Sequence, residues 1–203
     1  MNPYFSTPPA VKNIIIINTL LFLATALIQP FGLMMAQYGE LYWVGSPYFH
    51  TYQFATYMFL HASVGHLFFN MFALWMFGRT LEYELGTPRF LAYYLICGIG
   101  AAIIQIAVVW LTGETGFRII GASGAVMGLL LAFGVMHPNE IIFIFPFPMP
   151  IKAKWFVIGY AALELFYGCS GIDAGVAHFA HIGGMLWGLA LLYYWKRKGD
   201  IYF

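Results

Sequence analysis

Residues 90–112 read FLAYYLICGIGAAIIQIAVVWLT and carry no charged side chain. A helix needs about 20 apolar residues to cross the hydrocarbon core of a bilayer, and this run is long enough. The rest of the chain has the same character. Of its 203 residues, 62% are hydrophobic, 20% aromatic and only 8% charged, and the mean hydropathy is +0.78. A water-soluble domain clothes its surface with far more charge. Composition therefore specifies an integral, multi-pass membrane protein in contact with lipid. The net charge of +1 gives no electrostatic basis for nucleic-acid partners. Cys97 and Cys169 stand apart in or beside apolar segments, which suggests neither a metal knuckle nor a disulfide framework, with a single bridge left open. The first apolar run is as long as a span and lacks a small-x-small cleavage site, so no cleaved signal peptide is expected.

The same length measure gives six spans, at roughly 13–35, 64–84, 90–112, 119–136, 153–169 and 175–195. The fold expected is one all-α membrane domain over residues 1–203, a six-transmembrane-helix bundle. Between the fourth and fifth spans, IIFIFPFPMPI places Pro146, Pro148 and Pro150 at alternate positions. That spacing forbids a helix, so an extended surface loop is expected. The aromatic segment between the first two spans is broken by Gly and Pro, and reads as a loop lying in the membrane interface. With six spans, Lys12, Arg79, Arg89, Lys152, Lys154, Lys196, Arg197 and Lys198 fall on one side and Arg118 alone on the other. The positive-inside rule then puts both termini in the cytoplasm. Glu40, Glu114 and Asp173 lie in the opposite loops.

Polar groups inside spans are expensive and face the bundle interior. His66 and Asn70, four apart in HLFFN, share one face of the second span. Ser123 opens the fourth, in GASGAVMG, and His181 lies in the sixth, in AHFAHIGGMLWG. Ser123 is roughly 8 Å beyond Arg118 and His181 roughly 12 Å beyond Asp173 at the helical rise. His66 enters near the outer start of its span, so all four groups fall at one level in the outer half of the core. Serine with histidine is the minimum for nucleophilic acyl chemistry, since imidazole can take the hydroxyl proton near neutrality. Asn70, His66 and the Ser123 backbone N–H, at a helix start, offer donors to an oxyanion. Gly121 and Gly124 let backbone and a substrate approach closely. No carboxylate stands at this depth near His181 in the sequence, so a dyad is expected rather than a triad. Glu164, near the outer end of its span, is expected to snorkel, and Cys97 to be core.

Other readings of these residues stay open. Gly121, Gly124 and Gly128 form a small-residue face suited to helix packing, and Gly184-x-x-x-Gly188 reads as packing that brings the sixth span to the fourth. His181 could be a structural hydrogen-bonder. His178 and His181 with His66 could ligate a metal in a binding protein or transporter, although an acidic general base for a hydrolytic zinc site is missing from that set.

HASVGHLFFN, GASGAVMG and AHFAHIGGMLWG, in that order, resemble the rhomboid family of intramembrane serine proteases over about residues 50–190. LEYELG is similar to that family's Glu-x-x-Leu-Gly segment and points to Glu82, Leu85 and Gly86 as a structural corner. The resemblance implies Ser123 as nucleophile and His181, in Ala-His-x-x-Gly, as base. It rejects His178 for that role, because His181 stands where a glycine should follow. It makes His66 and Asn70 oxyanion donors, sets Gly121 beside the substrate, and gives His61 a part in holding the first loop. It implies no cofactor and no metal. Single-span membrane proteins with helix-weakening residues and a small residue at the cleaved bond are the implied substrates. The compact form suggests a bacterial plasma membrane. Two positions depart from the pattern. Tyr52 and Gln53 replace the family's Trp-Arg in the first loop, and Met127 replaces an aromatic residue that packs on the histidine. A rhomboid-like scaffold that binds transmembrane helices without cutting them is the alternative.

Overall fold

Prolines set the helix starts in the amino-terminal half. Proline fixes φ and lacks an N–H that the first turn could not use. It stands in the first turn of α1 (Pro9–Leu27), α2 (Gln29–Tyr38) and α6 (Thr87–Thr112). The computed structural model describes residues 6–113, 116–144, 149–171 and 177–203. Glu114, Asp173, Pro146 and Pro148 lie outside the described residues.

The first expected span, 13–35, is not one helix. The chain leaves helical geometry at Ile28, with φ −111° and ψ 88°. Pro30 has no N–H to give to the carbonyl four residues back, so the ladder cannot pass it. Helices occupy the other expected spans. They are α4 (Val64–Ala73), a π turn at Leu74–Gly78 and α5 (Arg79–Leu85), followed by α6, α7 (Ser123–Met136), α8 (Ala153–Ser170) and α9 (His178–Lys198). By length and hydropathy, α1 and α6 are long and apolar enough to cross a membrane. The stretch Gln53–Phe59 with Val64–Leu85 makes a third if that pair, bent by 99°, is one span.

The protein is mostly helical, with two short antiparallel ladders that depart from the all-α expectation. β1 (Leu41–Tyr42) pairs with β2 (Arg118–Ile119), tying the first loop to the approach to α7. In the proline-bearing segment expected as an extended loop, the described residues are extended and pair as strands. β3 (Ile141–Ile144) runs against β4 (Met149–Lys152), with Phe143 opposite Pro150. An edge strand tolerates proline because its outward N–H has no ladder partner to lose.

α6, α7 and α9 form the centre of the bundle, with α8 against α7 and α9. Small residues make this possible. A Cβ at Gly184 would run into the Gly124 carbonyl, and one at Gly128 into Cys97, which is fully buried. Gly188 instead faces Tyr93 and Cys97 of α6, so the second glycine of that pair serves a different neighbour.

Two polar anchors hold the periphery. Glu82 is 2% exposed and accepts from the Ala10 and Val11 N–H groups at 2.9 and 2.8 Å and from the Thr87 hydroxyl at 2.7 Å. Its carboxylate therefore caps the start of α1, where backbone donors have no intrahelical acceptor. In the first loop, Gln53 opens the single-turn helix α3 (Gln53–Thr56) and is fully buried. Its amide donates to the carbonyls of Tyr38 and Tyr48 at 3.2 and 2.8 Å, and its oxygen accepts from the N–H of His50 at 3.1 Å and of Tyr42 at 3.4 Å. Gln53 is thus the tie that the Trp-Arg departure left unspecified, while Tyr52 is exposed.

Candidate active site

Ser63 begins the local construction. Its hydroxyl accepts from the His66 N–H at 3.1 Å and caps α4. That sets His66 in the first turn and Asn70 one turn deeper. The His66 Nδ1 accepts from the Ala62 N–H at 3.4 Å. The ring proton then sits on Nε2, which faces Gly121 closely enough that a Cβ there would lie 2.6 Å away. Gly121 also has φ 120°, a conformation that L side chains rarely adopt. Its N–H donates to the Tyr57 carbonyl at 2.9 Å, and the Tyr57 hydroxyl donates to the Gly98 carbonyl at 2.8 Å. The turn before α7 is therefore fixed to the first loop and to α6.

Ser123 is the first residue of α7. His181 stands one turn into α9, and its Nε2 lies 2.8 Å from the Ser123 Oγ. These two, with His66, Asn70, Met127 and Tyr160, line a recess of about 400 Å³. The Asn70 amide donates one proton to the His66 carbonyl at 2.8 Å, which leaves its second N–H for another acceptor. All four polar residues selected from the sequence thus border one recess. Met127 lies on its wall, and His61 packs edge-on against His66 with ring centroids 5.0 Å apart.

The expectation that no carboxylate reaches His181, and that Glu164 snorkels, is corrected here. Glu164 is 6% exposed. Its Oε2 lies 2.7 Å from the His178 Nδ1 and 2.9 Å from the His181 Nδ1. The second approach is off the ring N–H direction, an ion-pair distance without a straight hydrogen bond. The 14-residue separation of Glu164 and His178, on different helices, hid this. Only the packing of α8 on α9 brings them together. The available signal was a carboxylate inside an apolar span, a position that calls for a partner.

A metal reading takes a different shape from the one the sequence offered. Among the described residues, the ligand atoms of Glu164, His178 and His181 lie within 4.8 Å of one another, and His66 does not belong to that group. Tetrahedral zinc with bonds of about 2.1 Å spreads its ligand atoms more than about 3 Å apart. At 2.7 and 2.9 Å the carboxylate oxygen and the ring nitrogens are spaced for sharing protons, not for enclosing an ion.

A family model described as the rhomboid domain matches residues 48–198. The protein belongs to the rhomboid family. It is 33% identical over 144 residues to Rhomboid protease AarA of Providencia stuartii, covering 64% of this chain and 51% of that protein. It is 32% identical over 141 residues to Rhomboid protein 1, mitochondrial, of Saccharomyces cerevisiae, covering 68% of this chain and 39% of that protein. It is 30% identical over 152 residues to Presenilin-associated rhomboid-like protein, mitochondrial, of Bos taurus, covering 69% and 38%. The chain thus spans about half the length, or less, of these curated relatives. As a rhomboid-family chain with apolar helices long enough to span, it is an integral membrane protein.

Proposed function

We propose that this rhomboid-family protein is an intramembrane serine endopeptidase, with Ser123 as nucleophile and His181 as general base and acid. The observation that carries the reading is the 2.8 Å approach of His181 Nε2 to Ser123 Oγ inside a recess bordered by amide and imidazole donors. Membership of a family that includes a named rhomboid protease supports the reaction class.

In this mechanism His181 Nε2 takes the Ser123 proton as Oγ adds to a peptide carbonyl. The oxyanion is received by the Ser123 N–H, which has no acceptor within its own helix, by the Asn70 amide and by His66 Nε2–H. His181 then gives its proton to the departing amine. Water entering the recess hydrolyses the acyl-enzyme by the same exchange in reverse. The substrate helix must unwind locally, because an intact helix holds its carbonyls in backbone bonds.

The proposal extends to setting. The chain crosses the membrane six times, with both termini on the side that carries the excess of basic residues. The site opens toward the opposite face, where single-span membrane substrates are cut. The clustering of basic side chains supports that topology, and a bacterial plasma membrane is the setting it fits.

The test is labelling of the purified protein in lipid by a fluorophosphonate probe, comparing wild type with Ser123→Ala and His181→Ala. Wild-type labelling that both substitutions abolish is the expected outcome. A folded wild type that does not label would overturn the reading in favour of a scaffold that binds helices without cutting them.

A further inference from the structure

We propose that Glu164 is a positioning residue for this reaction, orienting the His181 imidazole through Nδ1 while Nε2 faces Ser123. The inference rests on the Ser123–His181 reading above and adds a third member to it.

Glu164 is a carboxylate buried in a membrane protein, 6% exposed, with no lysine or arginine paired to it among the described ion pairs. Ionisable groups inside membrane proteins are expensive, are held by partners and mark functional sites. What Glu164 meets is imidazole. His178 and His181, three residues apart on one face of α9, both turn Nδ1 toward its Oε2, at 2.7 and 2.9 Å. Tyr160 stands one turn earlier on α8, beside the same carboxylate. The groups around His181 are therefore Ser123 at one ring nitrogen and Glu164 at the other, with His178, Tyr160 and His66 beside them.

This arrangement selects a tautomer. A carboxylate accepts only, so the nitrogen facing it keeps its proton. With the proton on Nδ1, Nε2 presents its lone pair to the Ser123 hydroxyl, which is what a base requires. When Nε2 takes the serine proton, the imidazolium gains the facing negative charge. The off-line 2.9 Å approach is the kind of contact that tightens when substrate is bound. His178 holds the carboxylate from the other side, so it fixes Glu164.

The competing reading is that Glu164 only clamps α8 to α9. Glu164→Gln separates the two, because glutamine keeps the shape and can still bridge the helices, but has no charge and can turn an N–H donor toward Nδ1, which favours the wrong tautomer. In lipid, with a membrane-anchored reporter substrate, the expected result is a kcat lowered by about 100-fold or more. KM and the melting temperature stay within error of wild type. A kcat within about threefold of wild type would overturn the proposal, as would a kcat loss that only tracks a loss of folded protein.

A second measurement needs no variant at Glu164. ¹⁵N-histidine NMR of wild type, with the His181 signal assigned by its loss in His181→Ala, reads the tautomer directly. Protonation at Nδ1 is expected, and protonation at Nε2 overturns the proposal. A stoichiometric metal whose removal by EDTA abolishes probe labelling would also overturn it. If wild type fails to label at all, the protease reading falls. The tautomer measurement still decides whether Glu164 orients His181.

Discussion

The backbone of Gly184 lies against the Gly124 carbonyl, so that no side chain fits between α9 and α7. His181 is three residues before Gly184 and Ser123 one before Gly124, so this contact sets the distance between the proposed base and nucleophile. In Gly184→Ala the new Cβ meets backbone, which cannot swing aside. Overpacking of this sort costs about 1–3 kcal/mol. The helices part, and probe labelling falls further than the stability loss alone explains. Thermal unfolding and labelling measured on the same sample test this.

Among the described residues, the Asn70 amide gives one N–H to the His66 carbonyl and has the other available to the recess. Asn70→Ala removes that donor from the recess without opening the core, since Asn70 sits at the recess wall. The expected loss is about 10²–10³ in kcat with little change in KM. Steady-state cleavage of a membrane-anchored reporter would show it, and an unchanged kcat would remove Asn70 from the oxyanion site.

Gln53 holds four backbone groups of the first loop. Gln53→Ala leaves them without partners, and the expected destabilisation is about 2–4 kcal/mol, with faster hydrogen exchange confined to the loop. Gln53→Glu should be no milder, because both donations to carbonyls become repulsions. Exchange mass spectrometry on the two variants distinguishes a local tie from a general packing residue.

Glu82 caps α1 from a distant part of the chain. Glu82→Gln keeps one acceptor and loses the charge at the helix start, at about 1 kcal/mol. Glu82→Ala strands both N–H groups, at about 2–3 kcal/mol. The ranking Ala below Gln below wild type in melting temperature is the outcome to check.

Glu40 gives a pH dependence. Burial holds its carboxyl above the ordinary range, and the Arg118 guanidinium at 3.2 Å offsets this only in part. A raised carboxyl binds its proton more tightly in the folded chain than in the unfolded one. Its stabilising contribution is therefore present at low pH and is lost as pH rises through the raised value. Relative to wild type, Glu40→Gln should gain melting temperature as pH is raised through that window. A difference that stays flat across the window would show that Arg118 compensates fully.

Composition and the charge-free run at 90–112 were enough to name a membrane protein, because transfer of charge into hydrocarbon has no local remedy. Ser123, His181, His66 and Asn70 could be picked out for the same reason: few polar residues stand in such segments, so each is conspicuous. Ser63 and Gly121 act within a few residues of the groups they place, through a cap and a positive φ. Such local effects belong to the sequence. What lay beyond it was pairing between distant segments. The break at Ile28 needed only Pro30, yet hydropathy runs straight over a proline. The β3–β4 pairing needed a register, which alternating prolines do not supply. Gln53 looked like the loss of an arginine until its four partners, spread over residues 38–50, closed around one amide. Glu164 looked like an end-of-helix carboxylate until α8 met α9. A sequence fixes which side chains are costly to bury, since that depends on each group and its solvent alone. Which partner meets that cost depends on distances between helices, and those are set by where glycines allow backbones to touch.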